Sequence, residues 1–136
     1  MVLFDLDVYT KNEVIDKLFQ LLIGKGFVKD EFLLDLYKRE ALRPTTAKGG
    51  IAIPHGMPNN VLKPGLAIAK LKKPIEWERD IVVDLVFMIA YKTDSKDFFK
   101  ILYNILLNER YLVDFRNTSN ASDIVSLMNK GISYEN

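Results

Sequence analysis

The chain has 136 residues, of which 49% are hydrophobic and 27% charged, and its 19 basic and 18 acidic side chains leave a formal net charge of +1. This is an ordinary globular composition, so we expect a single domain over residues 1–136. The near balance of charge gives no reason to expect a nucleic-acid or membrane-surface partner. The absence of cysteine excludes disulfides, thiol catalysis and thiolate metal sites, and is compatible with a cytoplasmic location.

Two further classes are disfavoured by local patterns. The longest apolar run, Ile81–Tyr91, contains Asp84 and is too short to span a bilayer, so we expect no membrane insertion. The acidic opening segment Met1–Asp7 lacks the basic region of a signal peptide. The single histidine and the lack of metal-binding spacing predict no metal and no cofactor.

The first quarter of the chain predicts a strand and a helix. Val2–Val8 alternates loosely and is typical of a short strand or extended arm. Thr10 and Glu13 have the spacing of a capping box, in which each side chain bonds a free backbone N–H of the other residue. Apolar residues then recur at helical spacing to about Ile23, and Gly24 is expected to end the helix.

A second helix, a loop and a very short strand are expected next. The helix is predicted from about Asp30 to Arg39–Ala41, because apolar residues recur there at helical spacing. Arg43–Gly50 is rich in proline, threonine and glycine and is predicted to be a loop. Ile51–Ile53 is a brief apolar run that Pro54 ends.

The rest of the chain predicts an α/β architecture. Leu66–Leu71 and Ile81–Tyr91 are strand candidates, and the nearly unbroken apolar sequence of the second is typical of an interior strand covered on both faces. Helices at both ends of the chain around central strands indicate a layered α/β fold, although the strand order is not readable. Three segments have helical patterns. The first is capped by Asp94 or Ser95 and runs to about Asn108, and a short one follows near Tyr111–Phe115. The last spans Ser122–Lys130 and is expected to bury Ile124, Val125, Leu127 and Met128.

The segment most informative about chemistry is the turn around the single histidine. Pro54 fixes its own backbone before His55, and Gly56 permits a sharp exit and a close backbone approach. Such a turn can hold an imidazole at the end of a strand, where α/β folds commonly bind ligands. From the residues alone, His55 is either a reacting group or a plain loop histidine. Gly49-Gly50 is likewise either a turn or a phosphate cradle, and it matches neither a Walker loop nor a dinucleotide fingerprint.

The sequence Gly50–Gly56 resembles the active-site motif of type-2 EIIA domains, the mannitol/fructose class of the bacterial sugar phosphotransferase system (PTS). Arg39-Glu40 and Thr45 stand where that family carries an Arg-Glu pair and a threonine. Lys72–Trp77 resembles its Pro-Ile-x-Trp step. The resemblance extends from about residue 5 to residue 128.

The resemblance implies a fold and a function. The fold would be a mixed β-sheet with helices on both faces, with His55 in a shallow depression. His55 would accept a phosphoryl group from the carrier HPr, on Nε2, with Nδ1 held by a neighbouring acceptor. The group would pass to a cysteine of EIIB and then to a sugar entering through EIIC, with no metal required. Two alternatives remain: a receiver domain of a transcriptional antiterminator or activator that is switched by phosphorylation of His55, and a plain interaction domain that is never modified.

The resemblance assigns a role to Arg39, and the chemistry of nearby side chains suggests further roles. Arg39 would hold the phosphoryl oxygens, because a planar guanidinium can donate two parallel hydrogen bonds to them. The alternative is a solvated arginine, or one paired with Glu40 or Asp35. Lys48 would add positive charge or simply lie in solvent. The supporting positions are Thr45 and Thr46, whose hydroxyls would bond the phosphate, the imidazole or the loop itself, and Gly56.

Two positions depart from the family's pattern. Typical members carry a second histidine near the start of the helix after the long strand, and here Asp97 or Phe98 stands at or beside that position. Lys48 stands where a glycine is more usual. Loss of the second imidazole removes a hydrogen-bond donor near the phosphate, so we expect phosphate acceptance to survive and transfer to EIIB to slow. This departure counts towards the receiver alternative, and transfer to EIIB remains the first interpretation.

Overall fold

The computed structural model describes residues 1–135, apart from the side chains of Lys96 and Glu135. The strands are β1 (Val2–Leu6), β2 (Thr46–Ala47), β3 (Ile51–Ala52), β4 (Gly65–Glu78) and β5 (Ile81–Ala90). The helices are α1 (Lys11–Gly24), α2 (Phe32–Leu42), α3 (Lys96–Leu106), α4 (Glu109–Arg116) and α5 (Ala121–Glu135). No helix in the part of the chain that the structure describes is both long and apolar enough to cross a membrane.

The five strands form one mixed sheet in the order β1-β4-β5-β3-β2. The pairs β1–β4 and β3–β5 are parallel, whereas β4–β5 and β2–β3 are antiparallel. The predicted mixed sheet is therefore confirmed. The short strand that leads to His55 lies directly beside β5, which places the histidine against the interior of the sheet.

Helices cover both faces of the sheet, as predicted. Helices α1 and α2 pack on one face, where Val86 and Met88 of β5 contribute to the core. Helices α3, α4 and α5 pack on the other face against Leu85 and Phe87. Alternate residues of β5 thus serve two separate apolar cores, which explains its nearly continuous apolar sequence. The first residues of this strand are the exception, since Val82 is 55% exposed.

Two strand predictions need correction. The segment Arg43–Gly50 is not only loop, because Thr46–Ala47 forms β2 and pairs with β3. Strand β4 does not end at Leu71 but continues to Glu78. Its ladder with β5 shifts register between Lys70 and Ile75, where the chain presents exposed lysines and a proline. This irregularity interrupts the apolar pattern without ending the strand.

The predicted helix caps hold in one case and not in the other. Thr10 Oγ1 accepts a hydrogen bond from Glu13 N at 3.2 Å, and the Glu13 carboxylate accepts from Tyr9 N, one residue before the expected partner. Ser95 occupies the cap position of α3 but its side chain forms no cap bond. Its Oγ instead accepts from Lys92 N at 2.9 Å, within a 3₁₀ turn over Thr93–Ser95.

The last helix is longer than predicted. Helix α5 begins at Ala121 and continues to Glu135, beyond the expected end at Lys130. Ile124 and Met128 are buried, as predicted. The prediction was wrong for Val125, which is 42% exposed because it lies on the side of the helix away from the core.

Candidate functional site

His55 is held at the sheet by main-chain groups. The carbonyl of Pro54 accepts a hydrogen bond from Ile89 N at 3.0 Å, and His55 forms a parallel bridge with Ile89. The ring atom Nδ1 lies 2.9 Å from the carbonyl oxygen of Ile53. Since a carbonyl oxygen only accepts, Nδ1 carries the proton and Nε2 carries the lone pair. Within residues 1–135, no hydrogen bond is found to Nε2.

The surroundings of His55 favour the neutral imidazole. Burial lowers the pKa of His55 below its usual value of 6.5, and this is the largest effect. The hydrogen bond to Ile53 opposes it, the charge of Arg39 lowers the pKa further, and that of Glu40 raises it. A half-buried imidazole with a lowered pKa is uncharged at neutral pH, and its free nitrogen is a nucleophile.

Two surface depressions meet at Arg39 and His55. One, of about 300 Å³, is also lined by Asp35, Lys38, Leu42, Gly56, Met57 and Tyr91. The other, of about 470 Å³, is also lined by Arg43, Pro44, Thr45, Thr46, Ala47, Ile53, Ile81 and Tyr103. Lys38, Arg39 and Arg43 give the combined site an excess of positive charge, which suits an anionic group. Around it, Leu42 is 84% and Met57 59% exposed, so part of the rim is apolar.

Arg39 reaches the site from the last turn of α2. Its Nη1 donates to the carbonyl oxygen of Arg43 at 2.7 Å, which holds the guanidinium near the loop that follows the helix. The alternative pairing with Glu40 or Asp35 does not occur: the salt bridges found among residues 1–135 involve neither acid. The remaining N–H groups of Arg39 form no hydrogen bond with any described residue, so they are available to a ligand.

Glu40 faces the protein interior and anchors the loop after α2. Glu40 is 4% exposed as a residue. Its carboxylate accepts from Thr45 N at 3.0 Å, Thr45 Oγ1 at 2.6 Å and Trp77 Nε1 at 2.6 Å. The carbonyl of Thr45 in turn accepts from Ile53 N at 2.8 Å. The hydroxyl proton of Thr45 is therefore directed at Glu40, and the geometry favours loop support for Thr45 over phosphate contact.

Thr46 and Gly56 have different surroundings. Thr46 lines the larger depression together with Arg39 and His55. Gly56 is buried against α2, and a Cβ atom there would lie 2.9 Å from Phe32 Cε1 and 3.0 Å from Asp35 Cβ. Glycine is thus needed because the turn that carries His55 approaches α2 so closely.

The turn over Gly49-Gly50 has two glycines with positive φ and lies beside the ion pair of Arg116 and Asp84. Both glycines have positive φ, 100° and 79°, which favours the plain-turn interpretation. Arg116 of α4 binds Asp84 through Nε at 2.9 Å and Nη2 at 2.7 Å, and also donates to the carbonyl of Gly49. Lys48 is exposed and forms no ion pair with any residue that the structure describes.

An aromatic row beside His55 was not predicted from the sequence. The ring of Tyr91 lies 6.5 Å from the imidazole, Phe99 lies 5.0 Å from Tyr91, and Tyr103 lies 4.9 Å from Phe99, centroid to centroid. Asp97 and Phe98, at or beside the position of the missing histidine, are both exposed. The parallel pairing of β3 with β5 would have placed Tyr91 near His55, but that pairing was not readable from the sequence.

Comparison with known proteins agrees with this architecture. Residues 1–131 match the model of the family described as "Phosphoenolpyruvate-dependent sugar phosphotransferase system, EIIA 2". The chain belongs to this family, whose EIIA domains are phosphotransfer components of the PTS.

Curated relatives include both regulators and transport components. The transcriptional regulator ManR of Bacillus subtilis is 34% identical over 96 residues, which cover 71% of this chain and 15% of the regulator. The mannitol-specific phosphotransferase enzyme IIA component of Staphylococcus aureus is 29% identical over 84 residues, which cover 60% of this chain and 58% of that protein. The chain therefore spans a small fraction of the regulator and less than two thirds of the transport component.

Solved structures share the fold. IIA mannitol from Escherichia coli superposes with a TM-score of 0.80 at 26% identity, covering 93% of this chain and 94% of that one. A complex of enzyme IIA and phosphorylated enzyme IIB for mannitol, also from Escherichia coli, contains a chain with a TM-score of 0.83 at 24% identity. The match covers 95% of this chain and 94% of the other.

Proposed function

We propose that residues 1–136 form one phosphoryl-accepting domain, in which His55 takes a phosphoryl group from phospho-HPr and passes it to EIIB in the cytoplasm. The observation that carries this proposal is the state of the imidazole. Nδ1 is fixed by the carbonyl of Ile53, Nε2 bonds no residue from 1 to 135, and His55 lines two depressions together with Arg39. Family membership supplies the reaction class.

The proposed chemistry follows from this tautomer. The lone pair of Nε2 attacks the phosphorus of the donor phosphohistidine, and a new N–P bond forms. The N–P bond of the donor breaks, and its electron pair stays on the donor imidazole. Nδ1 keeps its proton, and the Ile53 carbonyl stabilises the positive charge that the ring gains.

Arg39 is proposed to stabilise the transferring group. Phosphoryl transfer passes through a loose transition state with charge spread over the peripheral oxygens, so positioned donors and positive charge supply much of the catalysis. The free N–H groups of Arg39 fit this role because the same side chain lines both depressions with His55. We propose supporting roles for the loop residues: Thr45 bonds Glu40, Thr46 lines the site, and Gly56 permits the close turn.

A regulatory role is the second candidate. ManR and a probable licABCH operon regulator, both from Bacillus subtilis, are 34% and 31% identical to this chain, which spans only 15% and 16% of them. A phosphate on His55 would then add negative charge at a surface with an apolar rim and change how that surface binds a neighbouring domain. The single histidine favours this candidate, because one donor fewer slows onward transfer.

Labelling with phosphoenolpyruvate, enzyme I and HPr tests both candidates. We expect the wild-type protein to become phosphorylated and His55→Ala to remain unlabelled. Because the chain has a single histidine, any acid-labile phosphohistidine reports on this residue. A folded wild-type protein that takes no label would contradict both candidates. The remaining interpretation would then be an interaction domain that is never modified.

The role of Arg39 is tested by Arg39→Ala, with Arg110→Ala as the matched control on the exposed part of α4. We expect Arg39→Ala to slow labelling by about a hundredfold or more, as when a positioned transition-state donor is removed elsewhere. Its folding should be nearly unchanged, because Arg39 forms no ion pair in the structure described and the variant loses one exposed hydrogen bond, to the carbonyl of Arg43. Labelling of Arg39→Ala at the rate of the control would refute the proposed clamp.

Adding EIIB to the phosphorylated protein separates transport from regulation. In the solved complex, a protein with this fold binds phosphorylated enzyme IIB. Rapid loss of label to a cognate EIIB supports the transport component. Label that stays on His55 in the presence of EIIB supports the receiver.

A further inference from the structure

The larger of the two depressions contains a hydroxyl that the reaction described above does not use. Tyr103, from the middle of α3, lines this depression together with Arg39, Thr46 and His55. Its ring packs 4.9 Å from that of Phe99, centroid to centroid, and Phe99 packs in turn on Tyr91 beside the imidazole. The aromatic row therefore supports the Tyr103 ring through Phe99, and the lining of the depression places Tyr103 near His55.

The hydroxyl of Tyr103 is a donor without an acceptor. It forms no hydrogen bond with any residue from 1 to 135, whereas the hydroxyl of Tyr37 bonds Asp16 at 2.5 Å. Burial raises the pKa of Tyr103 above its usual value of 10, the charge of Arg39 lowers it, and Tyr91 raises it. The hydroxyl therefore keeps its proton at neutral pH, and it lies within electrostatic reach of the guanidinium. A free O–H and a free guanidinium in one depression both suit an anion.

We propose that Tyr103 donates a hydrogen bond to the phosphoryl group carried by His55, and so acts as a second donor beside Arg39. This inference rests on the proposed phosphoryl transfer. The bond leaves the covalent chemistry unchanged: Nε2 of His55 gains the phosphorus, the donor imidazole keeps the electron pair, and Tyr103 keeps its proton. The bond stabilises the charge that the loose transition state spreads over the peripheral oxygens, as a positioned donor to a charged group does.

Three other hydroxyl groups lie near His55. The hydroxyl of Thr45 already donates to Glu40 at 2.6 Å. Tyr91 lines the smaller depression, and its ring packs beside the imidazole. Thr46 is the competing donor, because it lines the same depression as Tyr103. The chain has no second histidine to take this place.

The test is single-turnover labelling by phospho-HPr of Tyr103→Phe, which removes one oxygen and keeps the ring. The control is Tyr134→Phe, at a tyrosine that is 83% exposed and lies on α5. We expect the maximal rate for Tyr103→Phe to fall about ten- to a hundredfold, the usual effect of losing a hydrogen bond to a charged group. The HPr concentration at half-maximal rate should not change. The ³¹P resonance of phosphorylated His55 should move in Tyr103→Phe and stay in place in the control.

A measurement on the wild-type protein guards against a variant that does not fold. The ¹³Cζ resonance of Tyr103 should shift when His55 is phosphorylated, and that of Tyr134 should not. Two results overturn this inference and leave the phosphoryl-transfer proposal standing. One is a wild-type protein that is labelled but whose Tyr103 resonance does not move. The other is a folded Tyr103→Phe variant with the wild-type rate and ³¹P resonance. A rate defect found only in Thr46→Val assigns the bond to Thr46 and also overturns it. A wild-type protein that takes no label overturns the phosphoryl-transfer proposal, and this inference with it.

Discussion

Glu40 offers the sharpest test of how the site is supported. Its buried carboxylate accepts three hydrogen bonds, from Thr45 N, Thr45 Oγ1 and Trp77 Nε1. Replacement by alanine leaves the Thr45 amide and the Trp77 indole without an acceptor in the interior. Replacement by glutamine keeps an oxygen for these two groups but presents an N–H₂ group to the Thr45 hydroxyl, which must then turn from donor to acceptor.

The expected cost follows from the number of donors that are left unpaired. A buried donor without a partner costs about 1–3 kcal/mol, and recovery of the desolvation cost of the carboxylate offsets part of the sum. We therefore expect Glu40→Ala to lower the free energy of unfolding by about 3–5 kcal/mol and Glu40→Gln by about 1–2 kcal/mol. For a chain of this length, 1 kcal/mol corresponds to roughly 3–4 °C in Tm. The expected decreases in Tm are thus about 10–20 °C and about 3–8 °C.

Thermal unfolding followed by circular dichroism measures these shifts. Glu76→Gln is the matched control, because Glu76 is exposed on β4, and its Tm should change by no more than about 2 °C. Equal stability of Glu40→Ala and wild type would show that the carboxylate does not hold the loop. An effect of Glu40→Ala no larger than that of Glu40→Gln would refute the argument from unpaired donors.

Three further predictions concern the turn, the imidazole and the ion pair. Gly56→Ala should cost about 1–3 kcal/mol in urea unfolding, because the new Cβ would lie 2.9 Å from Phe32 Cε1; an unchanged midpoint would contradict the close approach. Since burial lowers the pKa of His55, the labelling rate should stay level at neutral pH and fall on acidification with a midpoint below pH 6.5. The free energy of unfolding should decrease as pH falls from about 6.5 through that midpoint. A rate midpoint above pH 7 would contradict the lowered pKa. Arg116→Met should lower stability by about 1 kcal/mol in low salt, because it removes a two-bond pair with Asp84 in which both side chains are about a third exposed. If the loss is the same in 1 M salt, charge is not its cause.

Much of the fold was predictable because its signals are local. The run in β5 is apolar on both faces because each face meets a different core, and that pattern is visible in the sequence. Strand β4 was predicted too short because its register shift between Lys70 and Ile75 interrupts the apolar pattern. The two-residue strand β2 depends on pairing with β3, and such short segments have no period of their own.

The candidate site was only partly predictable, for a similar reason. The turn around His55 and the position of Arg39 follow from contiguous residues and from the resemblance. The tyrosines were missed because their proximity to His55 depends on strand order and on the packing of α3. Glu40 was considered only as a partner for Arg39, although it continues the spacing of Phe32 and Leu36 on the buried side of α2. Because consecutive residues of a helix point about 100° apart, Arg39 and Glu40 cannot share that side.

The hydrogen bonds that main-chain carbonyl and amide groups form around His55 have an evolutionary consequence. The imidazole is oriented by the carbonyl of Ile53, and its turn is fixed by the bond between Pro54 and Ile89. Neither bond depends on the identity of a neighbouring side chain. Exposed residues such as Leu42 and Met57 can therefore be substituted while the imidazole of His55 stays in position.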